Sequence, residues 1–146
     1  MAVKQEFVVW GNPRGKGRPR FTMRGHTYTD QLTTEYEGKV KKAWKSETFF
    51  KLDKQPTTII IKAYFPVPVS LSKKKRSSLF GTQYIGKPDG DNIGKIVLDA
   101  LNTVAYTDDS QIDTLLVIKR YVKEEEEPHV KITIIGEWQD GTERPG

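Results

Sequence analysis

Residues 87–102, Lys-Pro-Asp-Gly-Asp-Asn-Ile-Gly-Lys-Ile-Val-Leu-Asp-Ala-Leu-Asn, carry an apolar helical stripe together with several acidic side chains. The stripe is made of Ile93, Ile96, Val97, Ala100 and Leu101. Their spacing of three and four residues predicts a short helix with one buried face. Asn92 favours the N-cap position, so we expect the helix to begin near it. Lys95 is then expected in the first turn, away from the apolar stripe, with Asp99 one turn further along.

Acidic side chains lie on both sides of this predicted helix. Asp89 and Asp91 precede it, and an extended Asp-x-Asp segment places both carboxylates on the same side of the chain. Asp108 and Asp109 follow it, and a chain reversal over the helix would supply a third carboxylate. Carboxylates held close together repel one another unless a cation lies between them. Oxygen ligands of this kind suit Mg²⁺ or Mn²⁺, so the sequence predicts a divalent metal site.

Three simpler interpretations compete with a metal-dependent catalytic site. A calcium loop starting at Asp89 lacks an oxygen ligand at its fifth position and the bidentate glutamate at its twelfth, which are Ile93 and Ala100. A phosphate-binding loop at residues 11–16 has the wrong glycine spacing and no following serine or threonine. Surface turns remain open for each single aspartate. Five acids within residues 89–109 of an otherwise basic chain weaken that interpretation.

Charge is unevenly distributed along the 146 residues. Residues 1–123 contain 22 Lys and Arg against 12 Asp and Glu, whereas residues 124–146 contain 2 against 7. The body is therefore strongly basic, which predicts a polyanionic partner and nucleic acid first. The candidate phosphate contacts are Arg14, Lys16, Arg18, Arg20, Arg24, Lys73, Lys74, Lys75 and Arg76. For residues 73–76 an ordinary solvated loop is nearly as good an interpretation. His26, Tyr28 and Phe80 suit stacking on bases or packing equally well.

The remaining pattern predicts a single α+β domain over residues 1–146, with a mixed β-sheet packed against helices. We expect strands at 6–10, 57–65, 111–122 and 130–135, a helix from about 33 to 50, and a loop or short helix at 70–87. The last two strands are expected to form a hairpin across the acidic residues 124–128, followed by an acidic tail.

Composition excludes several classes of protein. The chain has no cysteine and two histidines, so disulfide scaffolds, zinc fingers, thiol nucleophiles and histidine-based triads are poor candidates. Its N-terminal apolar run covers only residues 7–10, too short for a signal peptide or a membrane helix. We expect a cytoplasmic protein with no membrane partner and no small organic cofactor.

The string at residues 87–102, followed by Tyr-Thr-Asp-Asp-Ser-Gln-Ile at 106–112, closely resembles the RusA family of Holliday-junction resolvases, which prophages often encode. The segment Gly-Asn-Pro-Arg-Gly-Lys-Gly-Arg-Pro-Arg at 11–20 is similar to that family as well. The resemblance runs from about residue 7 to 122 in the family's order. Departures are mild and touch no charged position: Ile93 stands where leucine is usual, and Thr103 where glycine is common.

The resemblance implies a catalytic set of Asp89, Asp91, Asp109 and Lys95, with the three aspartates binding Mg²⁺ or Mn²⁺. It also implies a RusA-like fold and a homodimer that cuts two opposed strands of a four-way DNA junction in recombination and repair. Asp99 and Asp108 match family acids of less clear role. A less specific metal-dependent nuclease acting on flap or branched DNA, and a non-catalytic DNA-binding module, remain alternatives.

Overall fold

Four strands form a mixed sheet in the computed structural model, which describes residues 2–17, 20–21, 27–28 and 31–137. The sheet contains β1 (Ala2–Trp10), β4 (Thr57–Phe65), β5 (Ile112–Tyr121) and β6 (His129–Glu137) in the order β1-β6-β4-β5. A two-stranded ribbon pairs β2 (Arg20–Phe21) with β3 (Thr27–Tyr28). The helices are α1 (Gln31–Lys45), α2 (Lys73–Leu79) and α3 (Gly90–Leu101). The predicted α+β class is confirmed.

The core lies between one face of the sheet and the helices α1 and α3. Along β4 the side chains alternate strictly between buried and half-buried positions, so Ile59 and Ile61 face the core without solvent contact. Val40 of α1 and Ile96 of α3 are equally buried against them. The β-branched run predicted at 57–65 therefore supplies the central strand, because such side chains pack well on a pleated surface.

The predicted hairpin between the last two strands is wrong. Strand β4 lies between them: it pairs in parallel with β5 and antiparallel with β6, and β6 pairs on its other side with β1. The connection from β4 to β5 contains α2 and α3, as a parallel pair requires a long crossover. Residues 124–127 thus bridge the end of β4 in a turn with Glu125 at a φ of 66°, instead of joining adjacent strands.

Within the described ranges, no helix has both the length and the apolar character needed to cross a bilayer.

We expect Ile61→Ala to lower the free energy of unfolding by about 2–5 kcal/mol, since it opens a cavity at a fully buried position of the central strand. Ile85→Ala, which truncates a side chain that is 95% exposed, should stay within about 0.5 kcal/mol of the wild type. Urea unfolding with unchanged m-values measures both, and equal midpoints for the two variants would contradict this description of the core.

Candidate active site

Helix α3 begins earlier than the sequence predicted. Its N-cap is Asp89, with extended backbone angles of φ −64° and ψ 153°, and its first residue is Gly90. Asp91 and Asn92 are consequently inside the first turn, and Lys95 lies in the second. The expectations that Asn92 caps the helix and that Asp89 and Asp91 share an extended segment are therefore wrong. Aspartate serves at an N-cap as well as asparagine does, so sequence preference did not distinguish them.

Both carboxylates at this end of α3 face solvent. The Asp89 side chain is 51% exposed and lies 3.0 Å from the Lys87 ammonium. The Asp91 side chain is 70% exposed and lies 3.7 Å from the Lys95 ammonium, one turn along the helix. The positive end of the helix dipole further favours negative charge here. The arrangement leaves two accessible carboxylates, each beside one exposed lysine.

The segment before Asp89 is fixed by two residues of its surroundings. The Lys119 ammonium donates hydrogen bonds to the carbonyl oxygens of Gly86 at 2.7 Å and Pro88 at 2.9 Å. The Tyr84 hydroxyl donates to the carbonyl oxygen of Lys87 at 2.8 Å. Because these bonds go to backbone atoms on both sides of Lys87, they set where α3 begins and therefore where Asp89 stands.

Lys16 joins three parts of the chain. Its ammonium lies 3.0 Å from carboxylate oxygens of both Glu37 and Asp99, and its backbone N–H donates to the carbonyl oxygen of Asn92 at 2.9 Å. Burial lowers the pKa of Lys16, but the hydrogen bonds to Asp99 and Glu37 outweigh it and raise the pKa above its usual value. Lys16 is therefore a charged clamp between the N-terminal segment, α1 and α3, and Asp99 is one of its partners.

The two adjacent aspartates after α3 have different surroundings. Asp108 caps a 3-10 turn over Asp109–Gln111, accepting hydrogen bonds from the backbone and side chain of Ser110 while Gln111 closes the capping box. These bonds from the Ser110 hydroxyl and N–H lower the pKa of Asp108. The backbone N–H of Asp109 donates to Asn102 Oδ1 at 3.0 Å. Among the described residues the Asp109 carboxylate itself has no hydrogen bond or ion pair.

Three further acidic side chains, Asp99, Asp108 and Asp109, lie around the buried side chain of Tyr106. The Tyr106 hydroxyl donates to the carbonyl oxygen of Leu98 at 2.6 Å, near the C-terminal end of α3. Burial raises the pKa of Tyr106, and the negative charges of Asp109, Asp99 and Asp108 raise it further. All three acids thus lie within electrostatic range of one hydroxyl group at that end of the helix.

The acidic side chains thus form two groups, Asp89 with Asp91 at the start of α3, and Asp99, Asp108 and Asp109 near its end. The helix has 12 residues, and the distance along its axis from Asp91 to Asn102, which holds the backbone of Asp109, is about 16 Å. Among the residues that the structure describes, no group of three acidic or histidine side chains is close enough to hold a metal ion. The expected convergence of Asp109 with Asp89 and Asp91 is therefore not found within one chain.

The predicted basic surface is described in part. Arg14 is exposed, and so are Lys73, Lys74 and Lys75 on α2, which has no acidic residue and buries none of its side chains. Arg76 and Phe80 are half-buried. Arg18, Arg24 and His26 lie outside the described residues, and of Arg20 and Tyr28 only the backbone is described.

Comparison with known proteins agrees with this set of motifs. A sequence model of the family described as endodeoxyribonuclease RusA matches residues 11–135. The chain belongs to the RusA family. It is also 36% identical over 139 residues to the uncharacterized protein YqaN of Bacillus subtilis strain 168, covering 88% of this chain and 94% of that protein. Membership implies endodeoxyribonuclease activity, and the RusA family acts on branched DNA junctions.

Sequence reasoning assigned no role to several residues that build this RusA-family site. Lys119 and Tyr84 lie outside the motifs and are recognisable only from the fold. Asn102 and Gln111 do stand inside the quoted motifs: Asn102 fixes Asp109, and Gln111 donates to the carbonyl oxygen of Asp53 at 2.8 Å. The presence of these two amide side chains in otherwise acidic motifs was the sequence feature that could have indicated their supporting role. Both side chains support the loop that carries the Asp109 carboxylate.

A glycine in the basic N-terminal segment touches the site. A Cβ at Gly15 would lie 2.7 Å from Pro88 Cβ and 3.1 Å from Asn92 Cβ, distances that these stiff positions cannot relieve without moving. The sequence suggested that the glycines of this segment permit close approach to DNA. At Gly15 the close approach is to the start of α3.

We expect Gly15→Ala to displace the Pro88–Asp89 segment and lower DNA cleavage about 10- to 100-fold, because small displacements of reacting groups are costly. Gly38→Ala is the matched control, since its Cβ meets nothing within 4 Å and α1 gains helix propensity of about 0.5–1 kcal/mol. Cleavage rates and thermal unfolding measure both effects. Full activity of Gly15→Ala would show that the contact does not position Asp89.

Proposed function

We propose that this protein is a Mg²⁺-dependent, structure-specific endodeoxyribonuclease of the cytoplasm that resolves four-way DNA junctions by paired nicks in opposed strands, as a homodimer acting in recombination and repair. The observation that carries the proposal is the difference between the surroundings of the Asp108 and Asp109 carboxylates. The Asp108 carboxylate caps a turn, whereas Asp109 is held through its backbone N–H and its carboxylate has no partner among the residues that the structure describes. An aspartate whose backbone is fixed and whose exposed carboxylate has no partner among the described residues is available to contact a substrate or an ion.

Asp89, Asp91 and Asp109 are proposed as the reactive acids, and Lys95 as the cation that stabilises charge on the phosphate as it develops. The reaction is hydrolysis: a water oxygen bonds to phosphorus, the P–O3′ bond breaks, and the proton lost by water is balanced by the one gained at O3′. The products are a 5′-phosphate and a 3′-hydroxyl, which a ligase can rejoin. The exposure of Asp91 and Lys95 suits contact with a large substrate.

Divalent metal is part of the proposal, with Mg²⁺ or Mn²⁺ neutralising charge at the scissile phosphate when bound. The chemistry of the donor set fits such an ion, because it consists of carboxylates. The geometry within one chain does not fit, since the described acidic side chains form no group of three.

DNA contacts are proposed for the exposed basic surface. Arg14 lines an open groove together with Lys87 and Pro88, so a backbone phosphate in this groove would lie beside Asp89. Helix α2 adds three exposed lysines with no acid among them. Contacts of this kind read shape and position more than base sequence, which suits a branched substrate. Lys16 differs from them because its charge is already shared between Glu37 and Asp99.

The proposal is tested with labelled four-way junction, duplex and flap DNA in Mg²⁺, using wild type, Asp109→Asn and Asp108→Asn. Wild type should cut the junction fastest and in opposed strands. Asp109→Asn should lower cutting about 100-fold or more while junction binding and folding persist. Asp108→Asn should stay near the wild-type rate, because asparagine preserves the cap.

Other outcomes select the alternatives. Equal wild-type rates on all three DNA substrates would make the protein a less specific nuclease. Cutting that survives in Asp109→Asn would reject the assigned site. No cutting by any form, with junction binding intact, would leave a DNA-binding module.

We also expect the triple variant Lys73→Gln, Lys74→Gln, Lys75→Gln to weaken junction binding and to reduce the slope of log K against log salt concentration by about 2.7, as loss of three phosphate contacts requires. The control removes three lysines from α1 with Lys41→Gln, Lys42→Gln and Lys45→Gln. Filter binding across a salt series measures the slopes. If both triple variants give the same slope, α2 has no special part in binding.

A further inference from the structure

One face of the four-stranded sheet points away from α1 and α3. Along β4 the buried side chains at 59, 61, 63 and 65 face the core, so those at 58, 60, 62 and 64 face outward. The strand registers extend this outward face over β1, β6 and β5. Its apolar residues are outside the core and do not pack against it: Val8, Ile60, Leu116, Ile118 and Ile135. Among the described residues, the core layer therefore covers the other face only.

Aromatic side chains form a row across three strands at one end of the outward face. Trp10 of β1, His129 of β6 and Tyr64 of β4 are successive partners in the register. The rings of His129 and Tyr64 stack, with centroids 4.5 Å apart and planes inclined at 23°. The Trp10 ring lies 5.2 Å from the His129 ring and is 62% exposed. An exposed indole supported by its neighbours is a preformed surface for a flat ligand group such as a nucleic-acid base.

The next row of this face brings two positive charges together. Lys62 of β4 and Lys131 of β6 are directly opposite each other, two residues along from Tyr64 and His129. Like charges in such a cross-strand pair are destabilising. Glu6 compensates Lys131, with an oxygen 3.3 Å from its ammonium, whereas Lys62 forms no ion pair with any described residue. The uncompensated charge of Lys62 favours an anionic ligand on this row.

The two rows suit a nucleic-acid strand in one orientation. Positions two residues apart on a strand are separated by about 6.6–6.8 Å, within the reach of one nucleotide from its base to its phosphate. Beyond the aromatic row lies the acidic turn 124–127, and Glu127 lines a shallow pocket together with Trp10. Carboxylates repel phosphate, so the phosphates belong over the lysine row and the bases over the aromatic row.

We propose that the outward face of the sheet binds single-stranded DNA, with a base stacked on Trp10 and the adjacent phosphate contacted by Lys62 and Lys131. The strand must be single because only an unpaired, unstacked base can present its face to an indole. DNA is the nucleic acid on which the RusA family acts. This site is separate from the candidate active site, since α3 packs on the opposite face of the sheet. It therefore goes beyond the proposed cleavage of junctions and does not depend on it.

Binding of a labelled oligothymidylate of about 12 nucleotides, followed by fluorescence anisotropy without divalent metal, tests the site. Trp10→Ala should weaken binding about 5- to 100-fold, because one base loses its stacking partner. Trp10→Phe keeps an aromatic face and should stay within about 3-fold of the wild type. Val69→Ala, which shortens an 84% exposed side chain outside the sheet, is the control and should bind like the wild type. Wild-type affinity in a folded Trp10→Ala variant would overturn the proposal.

Intrinsic fluorescence gives a readout that a merely structural tryptophan does not produce. A base stacked on Trp10 quenches its indole emission, whereas Trp44 is 8% exposed and lies in the core. Oligothymidylate should therefore quench the wild type, and Trp10→Phe should lose that quenching while the anisotropy change persists. Quenching of the same size in Trp10→Phe would show that no base stacks on Trp10, and the proposal would be wrong.

The salt dependence of binding tests the lysine row. Lys62→Gln should reduce the slope of log K against log salt concentration by about 0.7, as loss of one phosphate contact with a single strand requires. Lys45→Gln is the matched control, because it removes an exposed lysine from the last turn of α1. If both variants give the same slope, the phosphates do not lie over this row, and the proposed arrangement is wrong.

Other occupants of this face give different results. If Trp10→Ala leaves oligothymidylate binding unchanged but lowers the mass measured by sedimentation, the face is a contact between copies of this chain, and the proposal is wrong. If binding is lost in the triple lysine variant of α2 and not in Trp10→Ala, the oligonucleotide binds the basic surface, and the proposal is equally wrong.

The test is independent of the proposed nuclease function. A wild type that binds oligothymidylate through Trp10 but cuts no DNA keeps this inference and removes the proposed function. A wild type that cuts junctions without binding oligothymidylate keeps the function and removes the inference.

Discussion

The length of α3 is the constraint on which the site depends. The helix is held at its start by Lys119 bonds to the carbonyl oxygens of Gly86 and Pro88, and its C-cap residue Asn102 holds the backbone of Asp109. Between these points it is packed on the sheet through a stripe of fully buried side chains. Because the helix is rigid, it fixes the distance between the two groups of acids as well as the position of each group.

Lys16 shows how charge pairing holds the scaffold around that helix. A half-buried ammonium shared by two carboxylates is stabilised where a single surface pair contributes little, because each partner limits the freedom of the others. It connects α1, α3 and the basic N-terminal segment, and Gly15 lies against Pro88 and Asn92 next to it. The same short segment that supplies Arg14 to the groove is thereby fixed against the start of α3.

The sequence predicted the elements whose signals are local. The buried stripe of α3 and the bounds of β4 follow from the spacing and type of side chains, and both are confirmed. The hairpin prediction was wrong because β4 lies between β5 and β6 and pairs with both. The order of strands in a sheet depends on such long-range pairing, which the local sequence of residues 124–127 does not encode. The N-cap of α3 was misplaced by three residues because aspartate and asparagine are equally good caps, so the sequence did not distinguish Asp89 from Asn92. The separation of the acids is a matter of helix length, which the motif alone did not reveal.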